Sequence, residues 1–135
     1  MAANEKIVSV VDDDINTTEL FHVALSENID GISVVSFNDP VIALEHFAAN
    51  KDAYVLVISD LRMPGLNGLE LLKKVKSSNP KVRTLLMSAY NFDEDLLFLK
   101  YMKEGTIDSS IDKPITINRL CQRVRDELEN YQVNS

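Results

Sequence analysis

The chain has 135 residues, 45% of them hydrophobic and 26% charged, with a net charge of −7 and a pI of about 4.7. That length fits one domain, residues 1–135 with a core over 6–128. A surface this acidic repels a phosphate backbone and argues against direct nucleic-acid binding. Cys121, the sole cysteine, excludes an intrachain disulfide. Met1 to Asn4 lack the basic and apolar segments of a signal peptide. No apolar run approaches the roughly 20 residues that span a bilayer. The expectation is a soluble, cytoplasmic protein without membrane contact.

The apolar pattern alternates between two periods. Lys6 to Val11 is short and β-branched, as in a strand buried on both faces. Thr17 to Asn28 places Leu20, Phe21, Ala24 and Leu25 on a helical stripe, with Asn16 or Thr17 as its cap. Ile32 to Phe37 reads as a second strand. Asn38-Asp39-Pro40 is a turn, with Pro opening a helix over Val41 to Asn50. Tyr54 to Ile58 is the strongest strand signal. Gly65 to Ser77 is helical, with lysines near the end, where they suit the helix dipole. Asn79-Pro80 breaks it. Arg83 to Met87 is a fourth strand, Asp93 to Glu104 a fourth helix ended by Gly105, and Thr106 to Ile111 a weaker fifth strand. Ile117, Leu120, Cys121, Val124 and Leu128 line a fifth helix, and the tail from Asn130 is expected to fray.

Five strand–helix units predict an α/β fold, a flavodoxin-like (βα)5 doubly wound parallel sheet in strand order 2-1-3-4-5. In that order strands 1 and 3 are neighbours, and residues at strand ends gather on one sheet edge. Asp12 and Asp13 follow the first strand, Asp60 the third, Ser88 the fourth and Lys113 the fifth. Each acid alone would read as a turn residue or helix cap. Gathered together, three carboxylates repel one another and call for a cation. The set points to a divalent metal and a phosphoryl group.

The chain resembles the receiver domain of two-component response regulators. The resemblance rests on Val10-Val11-Asp12-Asp13-Asp14, on Asp60-Leu61-Arg62-Met63-Pro64 with Gly65 and Gly68, on Met87-Ser88-Ala89, and on Lys113-Pro114. It implies that Asp60 is the phosphoacceptor, a role a carboxylate can fill by attacking phosphorus. It also implies that Asp12, Asp13, Asp60 and the backbone carbonyl of Arg62 hold Mg²⁺, with Mn²⁺ as a substitute. Lys113 and the Ser88 hydroxyl would contact phosphoryl oxygens, with backbone N–H groups near Leu61 and Ala89 as further donors. The Lys113–Pro114 bond is expected to be cis, as it often is in the family. Asp14 is read as a solvated acid outside the metal shell. His22, His46 and Cys121 are read as packing or surface residues without a catalytic part.

One position departs from the pattern. Many receivers carry an aromatic residue three before the lysine, and here it is Ser110, which puts the usual aromatic switch in doubt. Tyr90, two past Ser88, stands where the family modulates water access to the acyl phosphate. The implied partners are a histidine kinase or phosphotransfer protein, docking near Asn16, Leu20 and Phe21 of the first helix. A downstream protein target or a homodimer would meet the fourth helix, fifth strand and fifth helix. The domain would serve as a stand-alone signalling element rather than an enzyme, apart from its own phosphorylation and dephosphorylation. A piece of a longer regulator would read identically. The rival readings are a pseudo-receiver that binds partners without phosphate, an aspartate-nucleophile phosphatase, and a flavodoxin-like cofactor binder, whose phosphate Asp12-Asp13-Asp14 would repel. The phosphatase wants a second Asp two residues after the nucleophile, where this chain has Arg62.

Overall fold

The computed structural model describes residues 6–89 and 96–134. Within them lie β1 (Ile7–Val11), α1 (Ile15–Asn28), β2 (Ser33–Phe37), α2 (Pro40–Asn50), β3 (Tyr54–Asp60), α3 (Gly68–Ser78), β4 (Arg83–Ser88), α4 (Leu96–Glu104), β5 (Ser109–Asp112) and α5 (Ile117–Asn134). All strand pairs are parallel, in the order β2-β1-β3-β4-β5. This is the flavodoxin-like sheet the pattern predicts.

Alternation along the buried strands divides the core into two layers. Val8 and Val10 of β1, with Leu56 and Ile58 of β3, pack against Phe21 and Leu25 of α1 and Leu120 and Val124 of α5. Ile7, Val11 and Val57 face the other way, onto Phe47 of α2, Leu72 and Val75 of α3, and Phe98 of α4. Cys121 is buried in the first layer, as a small apolar residue would be.

Helix starts differ from the sequence expectations where a side chain caps the backbone. Asp14, not Asn16 or Thr17, caps α1, its carboxylate accepting the Asn16 N–H at 3.0 Å. The start of α2 is as expected, with Asp39 accepting from the Val41 N–H at 2.9 Å directly before Pro40 in the first turn. A reciprocal cap between Asn67 and Glu70 delays α3 to Gly68, three residues past the expected start. At the other end, α5 continues to Asn134 rather than fraying from Asn130, with Leu128 and Tyr131 packed on the core. Strand β5 begins only at Ser109, because Thr106 and Asp108 are spent on a polar junction.

In that junction, Asp108 accepts from the Thr84 N–H at 2.9 Å and pairs with Lys76 of α3 at 2.7 Å and Arg83 of β4 at 3.5 Å. Arg83 also pairs with the buried Glu127 of α5 at 2.9 Å. Removing the Asp108 carboxylate leaves the Lys76 ammonium without this partner and the Thr84 N–H without this acceptor, while Arg83 keeps Glu127. Asp108→Ala is therefore expected to cost about 3 kcal/mol in urea unfolding. A loss below about 0.5 kcal/mol would show that these pairs do not hold β5 in place.

Candidate functional site

Parallel register carries the strand ends to one level. Val11 of β1 lies beside Ser59 of β3, Asp60 beside Met87 of β4, and Ser88 beside Asp112 of β5. The next residue beyond β1 is Asp12, and the next beyond β5 is Lys113. Ladder-type hydrogen bonds continue past the strands: the Asp12 N–H donates to Phe37 O at 3.1 Å and the Lys113 N–H to Ser88 O at 2.9 Å. The Lys113–Pro114 peptide is cis.

The five side chains expected at this edge converge. Lys113 Nζ lies 2.9 Å from Asp12 Oδ2 and 3.0 Å from Asp60 Oδ1. Asp12, Asp13 and Asp60 each present a carboxylate oxygen within 4.8 Å of the others. Asp12 and Asp60 are buried and Asp13 is exposed, so the cluster opens at one rim. Beside it, a pocket of about 340 Å³ is lined by Asp60, Arg62, Ser88, Ala89 and Lys113. The Leu61 N–H, one of the expected backbone donors, is already a rung of the β3–β4 ladder, bonded to Met87 O at 3.0 Å. Tyr90 lies outside the described residues. Ser110 sits half-buried in β5, and its carbonyl accepts from Arg123 Nη1 of α5 at 2.8 Å.

Close packing fixes where Asp60 stands. The Gly68 N–H donates to Leu61 O at 2.8 Å, seating the first turn of α3 directly on the end of β3. A Cβ on Gly68 would clash with the Asp60 carbonyl oxygen and lie 2.9 Å from Leu86 Cδ1, so only glycine allows this approach.

Electrostatics at the edge is a contest between burial and pairing. Burial pushes the Asp60 carboxyl above its usual range, and the neighbouring Asp12 charge adds to the rise. The Lys113 ammonium and the Leu61 N–H oppose it. Burial alone would lower the Lys113 pKa, but bonding to Asp12 and Asp60 outweighs it and holds the ammonium above its ordinary value. An acid whose folded pKa is raised binds its proton more tightly when folded. In the metal-free protein the stabilising contribution of Asp60 is therefore fully present below the unfolded value of 3.8 and is lost as pH rises through the folded one. Thermal midpoints in chelator, from about pH 4 to about pH 8, should show Asp60→Asn gaining on wild type as pH rises. A constant offset across that range would mean that Asp60 ionises without penalty. The Lys113 contribution has the opposite boundary, intact below 10.5 and lost only as pH rises through its higher folded value.

Other residues sort by exposure. Of the apolar residues of α4, Phe98 and Tyr101 are buried, while Leu96, Leu99 and Met102 are exposed. Phe92 lies outside the described residues. Leu20 of α1, expected on the packed stripe, is 55% exposed, whereas Phe21 beside it is buried. Both line a hollow of about 450 Å³ that reaches Lys113 and Pro114. His22 and His46 are half-buried, bonded to Ser36 Oγ and Tyr54 Oη at 2.7 Å each. Asn38, read from sequence only as a turn residue, hydrogen-bonds the carbonyl of Asp12. Its one legible signal is its place just past β2, on the same sheet edge as the acids.

Residues 8–125 match the family model of the response regulator receiver domain. The DNA-binding transcriptional regulator NtrC of Escherichia coli K12 is 32% identical over 126 residues, covering 93% of this chain and 25% of that protein. The transcriptional regulatory protein ZraR of Klebsiella oxytoca is 31% identical over 134 residues, covering 99% of this chain and 29% of that protein. The chain thus spans well under half the length of either relative. A solved response regulator receiver domain protein from Clostridium thermocellum superposes with a TM-score of 0.83 at 22% identity, covering 96% of this chain and 99% of that one, a likeness of fold. With the family match running through all five strands and into the last helix, the chain belongs to the response regulator receiver domains of two-component systems.

Proposed function

We propose that this receiver takes a phosphoryl group on Asp60 from a histidine kinase or phosphotransfer protein. The observation that carries the reading is the contact of one ammonium, Lys113 Nζ, with both Asp12 and Asp60 at the mouth of the Ser88 pocket. An Asp60 oxygen forms the new bond to phosphorus as the phosphohistidine P–N bond breaks, leaving the donor imidazole with the electron pair and, after protonation, neutral. Lys113 neutralises charge on a phosphoryl oxygen, and the Ser88 hydroxyl donates to another. Asp12, Asp13, Asp60 and the Arg62 carbonyl form an all-oxygen donor set suited to a hard divalent cation. Bound there, Mg²⁺ would offset the repulsion between carboxylate and phosphate. The exposed Leu96, Leu99 and Met102 of α4 fit the role of a partner-binding face whose affinity responds to phosphorylation.

The test is intact mass after incubation with a small-molecule phosphodonor and Mg²⁺. Wild type should gain one phosphoryl group and Asp60→Asn none. No gain with any donor would favour a pseudo-receiver that binds its partners without phosphate.

A further inference from the structure

We infer that Asn38 is a positioning residue for the metal-binding acids, an inference that rests on the metal reading of the preceding section. Strand β1 lies between β3, which brings Asp60, and β2, which ends just before Asn38. The two strands therefore approach the Asp12–Asp13 segment from opposite sides. From the β2 side, Asn38 Nδ2 donates to the Asp12 carbonyl oxygen at 2.9 Å and to Thr18 Oγ1 at 2.9 Å. Thr18 is buried and its hydroxyl donates to Ile15 O at 3.1 Å, which leaves its oxygen to accept from Asn38. The amide is thus fixed at two points, one on the loop it holds and one on α1.

The Asp12 carbonyl belongs to the peptide that joins Asp12 to Asp13. Holding that oxygen fixes the peptide plane, and with it the direction in which Asp13 leaves the backbone. The Asp12 side chain is held independently: Oδ1 accepts the Asp14 N–H at 2.9 Å and Oδ2 accepts Lys113. Asp13 is exposed, and the Asn38 bond is the constraint on its peptide from the β2 side. An octahedral cation tolerates little error in ligand placement. Groups that orient ligands from behind typically affect metal affinity by about 10- to 100-fold. Asn38 itself is exposed, so truncating it lets water reach the freed carbonyl and leaves the fold in place.

The experiment is calorimetric titration of the full chain with MgCl₂ for wild type, Asn38→Ala, Thr18→Val and the double variant. It is run where circular dichroism shows every metal-free variant folded. Asn38→Ala should raise the Kd for Mg²⁺ about tenfold while shifting the metal-free melting midpoint little. Thr18→Val, which frees the amide to swing, should raise the Kd in the same direction. The double variant should be no weaker than Asn38→Ala alone, because both act through one bond. Wild type binding Mg²⁺ with Asn38→Ala matching it within about twofold would overturn the positioning role alone. Additive effects in the double variant would also overturn it. Wild type taking up no Mg²⁺ would overturn the metal reading itself, and this inference with it.

Discussion

Gly68→Ala is expected to destabilise the domain by about 3 kcal/mol, near the upper end for an overpacked position. Its new methyl would clash with the Asp60 carbonyl oxygen, a backbone atom at the end of the fully buried strand β3. The far end of a flexible side chain could swing away from such a clash, and a central strand cannot. Relief must come from lifting the first turn of α3, which breaks the Gly68 N–H bond to Leu61 O, or from rotating the Asp60 peptide. The second route moves the proposed phosphoacceptor and the first frees the backbone beside it, so Mg²⁺ affinity and phosphoryl uptake should fall in whatever fraction remains folded. Urea unfolding in chelator measures the first effect, and calorimetry with MgCl₂ the second. An unchanged midpoint would show that the α3–β3 contact has slack.

Lys113→Met should lower the rate of phosphoryl uptake about a hundredfold at saturating Mg²⁺, the scale on which a single charge-stabilising donor acts at a transferring group. Methionine keeps an unbranched apolar stem of nearly the same reach as lysine but loses its charge. The same variant carries a second, independent signature. Without metal, Asp12 and Asp60 would face each other across the space the ammonium now fills. Its melting midpoint in chelator should therefore drop below that of wild type at neutral pH and recover as pH falls and Asp60 takes up its proton. Added Mg²⁺ should restore it by binding only the folded form. A variant that takes up phosphate at the wild-type rate would remove Lys113 from the transfer step. One with an unchanged midpoint in chelator would show that the paired carboxylates tolerate each other's charge.

Much of this was legible in the order of the residues. Strand and helix periods differ, so the five alternating units, the doubly wound sheet and the acids at strand ends can be read locally. The aspartates after β1 and β3, and the lysine after β5, then share an edge by topology alone. Boundaries were less legible where a single side chain decides them. Asp14 rather than Asn16 caps α1, and the Asn67–Glu70 pair postpones α3, because competing cap residues differ only by small local energies. Exposure within a helix was also hidden. Leu20 and Phe21 are adjacent apolar residues, and only the packing of α1 on β1 and α5 buries one and exposes the other.

The kind of sheet and the kinds of group at its carboxyl edge follow from local residue order, because strand-forming runs and the residues that end them are short-range features. Which of those groups touch follows only from the packed fold. Lys113 meets Asp12 across 101 positions of chain, and Asn38 meets the Asp12 carbonyl across 26. Such contacts depend on strand register and helix seating, which arise from packing the whole core at once rather than from any segment's own preference.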